Sequence, residues 1–159
     1  MELHYFIGQK KSPFHLSVGA VVTNKNGEVA CHHERTPDGT DIYYLMRETV
    51  RPGESLEGAV QRGLREEFGI LGAVEGYLGS LTSTFKNWER AEVQKTTLYF
   101  LCKLTSSKQE QVISTEKHFG GEKYFSWEPI PFLVDAMQKQ YKKLSRSDFD
   151  ESEILKRIQ

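Results

Sequence analysis

The stretch from Arg51 to Ile70, RPGESLEGAVQRGLREEFGI, constrains the chain more than any other, because its punctuation and its periodicity agree on one local structure. Pro52 and Gly53 break the chain, and Ser55 is placed to cap a helix by accepting a hydrogen bond from the backbone amides of its first turn. The pattern predicts a helix from Leu56 to Phe68, stopped by Gly69. Wound at about 100° per residue, Leu56, Ala59, Val60 and Leu64 share one face and Gly58, Gln61 and Arg65 the other, so the helix buries one side. Glu67 breaks that rule: it projects within about 20° of Leu56, into the apolar stripe, with Glu66 on the margin. A buried carboxylate without a partner is too costly to persist. Glu67 is therefore met by a metal ion or another cation, or the last turn frays and leaves it in water.

The order Gly53-Glu54, seven residues, Arg62, then Leu64, Glu66-Glu67, one residue and Gly69-Ile70 resembles the signature of the Nudix hydrolase family. That signature reads Gly, five residues, Glu, seven residues, Arg-Glu, apolar, any, Glu-Glu, any, Gly, apolar. So many fixed offsets within about 23 positions make it far more specific than a lone Gly-rich turn. The resemblance implies an α/β fold, an α/β/α sandwich with a mixed β-sheet, over roughly residues 14 to 145. It also implies a divalent cofactor, Mg²⁺ or Mn²⁺, and a nucleotide-type small-molecule substrate.

Two positions depart from the signature. Its opening Gly falls on Glu48, and the Glu of its Arg-Glu pair falls on Gly63. In family members a Glu at that second place usually binds the metal and often helps activate the attacking water. Positions 63, 66 and 67 are i, i+3 and i+4 neighbours that would converge on one ion, so the missing carboxylate is central to the face. Gly63 also costs the helix about 1 kcal/mol relative to Ala. It either admits the close approach of a ligand or another backbone, or marks relaxed selection. Glu48 in place of Gly makes a left-handed backbone there unfavourable and leaves the path of that loop open.

Along the rest of the chain, His4 to Ile7 reads as a short strand. Phe14 to His33 reads as a hairpin: Leu16, Val18, Ala20 and Val22 alternate, Asn26-Gly27 turns, and Val29 to His33 returns. Tyr43 to Met46 is a short strand, and Ala73 to Phe85 a strand interrupted by Gly76 and Gly79. Thr96 to Leu104 is a nearly continuous apolar strand suited to a sheet covered on both faces. After a long polar connection from Thr105 to Gly121 comes a last strand, Tyr124 to Trp127. Pro131 opens a helix with Leu133, Met137, Tyr141 and Leu144 on its packing face, and Asp148 to Ile158 forms a terminal helix. No second domain is required, so residues 1 to 159 are read as one.

With 21 basic against 22 acidic side chains the formal charge is −1, which gives no net electrostatic case for nucleic acid as a partner. No apolar run approaches the roughly 20 residues that span a bilayer, and the opening MELHYFIGQKK lacks a signal peptide's apolar core. A cytoplasmic location without membrane attachment is expected. Cys31 and Cys102 sit singly within apolar patterns and read as reduced, buried thiols. Oligomeric state is not set by the sequence, and a homodimer is compatible with it.

Glu66 and Glu67 supply the hard oxygen ligands that Mg²⁺ or Mn²⁺ prefers. Arg62, four residues before Glu66, is placed to orient it by an ion pair. With no Glu at 63 a substitute base is required for high turnover, and Glu122 is the first candidate, Glu116 the second and Glu48 the third. In the family an acidic residue a few positions before a Trp-bearing strand often completes the metal site, which maps to Glu122 ahead of Trp127. The family's metal-touching carbonyl maps to the backbone of Arg47. His32 and His33 point to opposite faces of a strand and are read as structural. Trp88, Tyr44 and Phe85 offer faces on which a base could stack, as does Tyr43. The expected activity is metal-dependent attack of water on a nucleoside diphosphate linked to another moiety. The alternative, motivated by Gly63 and Glu48, is a catalytically inactive nucleotide-binding sensor or regulatory module, and behind it a purely structural scaffold.

Overall fold

The alternation read in the first hairpin is what divides the core in two. The structure, a computed structural model, describes residues 14–86, 90–106, 117–144 and 149–158. Strand β1 (Phe14–Thr23) turns into β2 (Glu28–Arg35) through Asn24, whose Oδ1 accepts the amides of Asn26 at 2.9 Å and Glu28 at 3.0 Å, and through Gly27 at φ +75°. On β1, Val18, Ala20 and Val22 face one apolar cluster and Val21 the other; on β2, Ala30 faces the first and Val29 and Cys31 the second.

The sheet is mixed. β1 runs parallel to β6 (Glu92–Ser106), and β6 is antiparallel to β5 (Leu71–Lys86). On its other edge β1 meets β2 at Thr23↔Val29 and then β4 (Met46–Thr49), from Ser17↔Thr49 to Ala20↔Met46. β2 leaves β1 to pair with β3 (Asp41–Tyr44) and β7 (Glu122–Pro129). β5 shifts register beside Gly76 and Gly79, as its two glycines predict.

Helix α1 (Leu56–Gly63) covers one face of the sheet through Ala59 and Val60, continued by Leu64 and Phe68. Helix α2 (Ile130–Leu144) and the short α3 (Ser152–Leu155) cover the other through Leu133, Met137, Ile154 and Leu155. This is the α/β/α sandwich. No helix among the described residues is long and apolar enough to cross a membrane.

Four local expectations are corrected. The helix from Leu56 does not remain α-helical to Phe68: from Leu64 to Phe68 it widens into a π-helical turn, closed by the Ile70 amide on the Leu64 carbonyl at 3.3 Å and ended by Gly69 at φ +65°. The predicted strand Tyr43 to Met46 is broken at Leu45, the junction of β3 and β4. Tyr141 is 40% exposed, and the packing face of α2 drifts instead to Gln140, which clamps the Tyr43 amide at 2.8 Å and the Phe149 carbonyl at 2.8 Å. The terminal helix is only Ser152–Leu155 because the residues before it are used as anchors: Phe149 fills an apolar cluster with Ile42 and Tyr44, and Glu151 is fully buried. The predicted strand at His4 to Ile7 lies outside the described residues.

Glu151 explains the break at Leu45. Its carboxylate accepts the Leu45 amide at 2.7 Å and the Tyr99 hydroxyl at 2.6 Å, with the Arg47 guanidinium at 3.5 Å. Burial pushes its proton affinity up, against the pull of Arg47. Glu151→Ala strands a backbone amide, a hydroxyl and a cation together, so it is expected to cost about 3–5 kcal/mol in urea unfolding. A loss below about 1 kcal/mol, the size of a surface pair, would contradict this role. Both cysteines are buried and free, and burial raises both thiols, Cys102 to about 12. Neither is expected to react with iodoacetamide at pH 8 until the chain is unfolded, and mass spectrometry of native and denatured samples checks it.

Candidate active site

Arg62 organises the start of α1. The Ser55 hydroxyl caps the helix by accepting the Gly58 amide at 3.0 Å, and Glu54 folds the preceding turn by accepting the Arg51 amide at 2.9 Å. Only 7% of Arg62 is exposed, and its guanidinium donates to Glu54 at 2.8 and 3.1 Å and to the Thr49 carbonyl at 2.8 Å. Its remaining nitrogen, Nη1, stands 3.2 Å from Glu48 and 3.4 Å from Glu66. The hydrogen bond to Glu54, with the nearby carboxylates, keeps the guanidinium charged, and Arg62 in turn holds Glu54 below the ordinary carboxylate range. Arg62 therefore ties the end of β4, the loop and the helix into one unit.

Glu67 has its cation. Its Oε2 lies 2.6 Å from His32 Nε2 and 3.8 Å from Lys123 Nζ. Burial works against the Glu67 charge, but His32 and then Lys123 outweigh it and hold the carboxyl below its usual range. His32 is 2% exposed, and its Nε2, though close to Glu67, is not aligned with any hydrogen-bond partner among the described residues. Burial lowers its proton affinity, against the pull of Glu67. Glu48 is pushed up by burial, against Arg62, and further by the charges of Glu67 and Glu66.

These groups open on one cavity of about 470 Å³, walled by Glu48, Glu66 and Glu67 together with Arg47, Arg51, Arg62, Lys95, His15, His32 and His118. A second concavity, about 850 Å³ and beside the Asn26 turn, carries no acidic residue. The first is where carboxylates and cations mix, the composition that a phosphate with a divalent counter-ion requires.

Of the residues predicted from sequence, Glu66, Glu67, Arg62, Arg47, Tyr44 and Phe85 all line this cavity. Glu122 does not: on β7 the side chains alternate, so Lys123 reaches Glu67 and Phe125 packs on Phe68, while Glu122 bonds the Tyr124 hydroxyl on the opposite, exposed side. Its placement does not fit a ligand shared with Glu66 and Glu67. Tyr44 does not fit a stacking platform, because it is 2% exposed and its hydroxyl is bonded to Glu34 at 2.9 Å. Tyr43 stacks on His33, away from the cavity. Arg47 sits in β4 opposite Gly19, its guanidinium 4.6 Å from the Phe149 ring. Trp88 and Glu116 lie outside the described residues. His33 bonds Asp41 at 2.7 Å on the face opposite His32, as the strand alternation requires. His32 itself was missed as a site residue. The signal was present, because β2 turns Ala30 and His32 toward the α1 layer, where Glu67 needed a cation.

The carboxylates fit a hard divalent cation by their chemistry and their shared cavity. Among the described residues no three acidic, His or Cys groups already converge on one point, since Arg62 and His32 hold them. The contacts that an ion would loosen, Arg62 to Glu48 and to Glu66, are the longest that Arg62 makes.

Gly63 is buried against the strand. A Cβ there would lie 2.5 Å from Met46 Sδ and 3.0 Å from Glu48 Cβ. Gly63→Ala, which in an open helix gains about 1 kcal/mol, is expected here to lose stability, because overpacking costs about 1–3 kcal/mol. Urea denaturation checks the sign, and a gain would show that Met46 yields freely.

A family model described as the NUDIX domain matches residues 13–147. Among solved structures, the chain is similar to a NUDIX hydrolase from Nitrosomonas europaea, with TM-score 0.57 and 19% identity over 83% of this chain and 90% of that one. It is also similar to a MutT protein from Methanosarcina mazei Go1, with TM-score 0.50 and 19% identity over 88% and 99% of the two chains. An ADP-ribose pyrophosphatase from Streptococcus suis 89-1591 is a third, with TM-score 0.50 and 14% identity over 74% and 75%. At these identities the likeness is one of fold. No curated protein sequence matches the chain.

Proposed function

Because the chain belongs to the Nudix family, we propose that it is a pyrophosphohydrolase that uses Mg²⁺ or Mn²⁺ to cleave a nucleoside diphosphate linked to another moiety. The observation that carries this reading is the convergence of Glu48, Glu66 and Glu67 with Arg51, Arg62 and Lys95 on one cavity. Its volume, about 470 Å³, lies within the range of small-molecule sites, about 300–1,000 Å³.

In this reading Glu66 and Glu67 hold the cation, which when bound neutralises phosphate charge and acidifies water. Arg62 positions Glu66, while His32 and Lys123 fix Glu67 from the protein side. Arg51 and Lys95, on the cavity wall, offset the charge of the diphosphate. Phe85, half-buried at the same cavity and edge-on to His15, offers an apolar face to the base or its linked group. Water attacks one phosphorus, and the bridging oxygen leaves with the other.

One observation favours a second reading. Gly63 carries no carboxylate, and the acidic side chains are already paired with Arg62, His32 and Lys123, as a nucleotide-binding sensor without turnover would tolerate. The two separate in an assay of phosphate or nucleotide release from nucleoside triphosphates, dinucleoside polyphosphates, ADP-ribose and sugar nucleotides. Wild type is expected to turn over at least one of these with Mg²⁺ or Mn²⁺, and Glu67→Gln to lose about 10²- to 10⁴-fold in rate. If wild type releases nothing while one of these ligands raises its melting temperature, the chain is a binder.

A further inference from the structure

The geometry points to Glu48 as the third carboxylate of the cation site, set in β4 and given its room by Gly63 of α1. The inference rests on the proposed hydrolase reading and goes beyond it by naming the group that stands where the helix carries none.

Positions 48 and 63 compete for one volume. A Cβ on Gly63 would meet the Glu48 Cβ at 3.0 Å, and Met46 fills the rest of the gap with its sulfur at 2.5 Å. A side chain at 63 would therefore press on both Met46 and Glu48, so the two positions crowd one volume. In this chain the carboxylate comes from the strand, since Glu48 lines the cavity together with Glu66 and Glu67.

Two contacts fix the strand carboxylate beside Glu66, and a third marks the Glu67 side of the cavity. Arg62 Nη1 bridges Glu48 and Glu66, at 3.2 and 3.4 Å, so one cationic nitrogen already sits between the two acids. The Thr49 amide donates to Glu48 Oε1 at 3.0 Å and fixes the carboxylate on its own strand. Across the cavity, His32 is 2% exposed and turns its Nε2 toward Glu67 without an aligned hydrogen-bond partner. His32 and Glu67 thus share the cavity wall with Glu48 and Glu66. A divalent cation held by Glu48, Glu66 and Glu67 takes up the acidic charge that Arg62 now shares among several groups. The tight bonds of Arg62 to Glu54 and to the Thr49 carbonyl, 2.8 to 3.1 Å, keep it in place when Glu48 and Glu66 turn to the ion.

The test measures Mn²⁺ binding directly, by the electron paramagnetic resonance signal of free Mn²⁺ and by the Mn²⁺-induced rise in melting temperature. The proteins are wild type, Glu48→Gln, Glu67→Gln and, as a control on the exposed face of α1, Glu57→Gln. Glu48→Gln is expected to weaken Mn²⁺ binding at least about tenfold, and Glu57→Gln to leave it unchanged. In a second pair, Glu48→Gly weakens binding and the addition of Gly63→Glu restores it, because removing the Glu48 side chain relieves one of the two contacts at 63 and gives Met46 room to shift. This pair keeps the test decisive if Glu48→Gln proves unstable. Wild-type affinity in Glu48→Gln beside weakened binding in Glu67→Gln would overturn the role of Glu48 and leave the hydrolase reading standing. Failure of the double exchange to bind better than Glu48→Gly would also overturn it. Absence of Mn²⁺ binding in wild type would overturn both.

Discussion

The site hangs from one buried guanidinium. Arg62 reaches Glu54 in the loop, the Thr49 carbonyl at the end of β4, Glu66 in the π-helical turn and Glu48 in the strand. A buried cation needs such a shell, because a guanidinium taken from water without compensating acceptors is unstable by several kcal/mol. The same shell fixes the loop, β4 and the π-helical turn relative to each other. Because these acids share one cation, substitutions among them are expected to be non-additive. Beneath them, Ala59, Val60, Leu64 and Phe68 press the helix onto the β1–β2 hairpin and set its height above the sheet.

The Nudix helix of this chain departs from the family signature at two places that touch in space. Glu48 and Gly63 lie in different elements, 15 positions apart, yet a Cβ on Gly63 would stand 3.0 Å from that of Glu48. Read separately, an acid where glycine is usual and a glycine where an acid is usual suggest decay. Read together, they exchange the origin of one carboxylate and leave the number of acids facing the cavity unreduced. The extended path of β4 is consistent with this: no residue from 46 to 49 has positive φ, so the strand has no need of a glycine at 48.

Much of the scaffold was legible in the sequence because its signals are local. Ser55, Gly69 and the Asn26-Gly27 turn each act on backbone within a few residues, and each does what its chemistry predicts. The alternation of Leu16 to Val22 likewise marked the hairpin, and the apolar run Thr96 to Leu104 the sheet with two covered faces. What the sequence hid depends on register and on distant partners. Widening at Leu64 leaves no compositional mark, and nothing near Glu151 announces that it will satisfy Leu45 and Tyr99, more than 50 residues away. Glu122 shows the sensitivity of strands: a frame one residue different would have exchanged it with Lys123, which does reach Glu67. His32 is the instructive omission. Glu67 on an apolar helix face demanded a partner, and an inward-facing His on the neighbouring strand was there to answer it.

The most direct measurement is a crystal structure of the protein soaked with Mn²⁺, with data collected at a wavelength where manganese scatters anomalously. The account predicts one strong anomalous peak in the cavity, within coordinating distance of carboxylate oxygens from Glu48, Glu66 and Glu67, with Arg62 still bonded to Glu54. A peak coordinated by Glu66 and Glu67 with Glu48 still turned to Arg62, or the absence of any peak in this cavity, would contradict it.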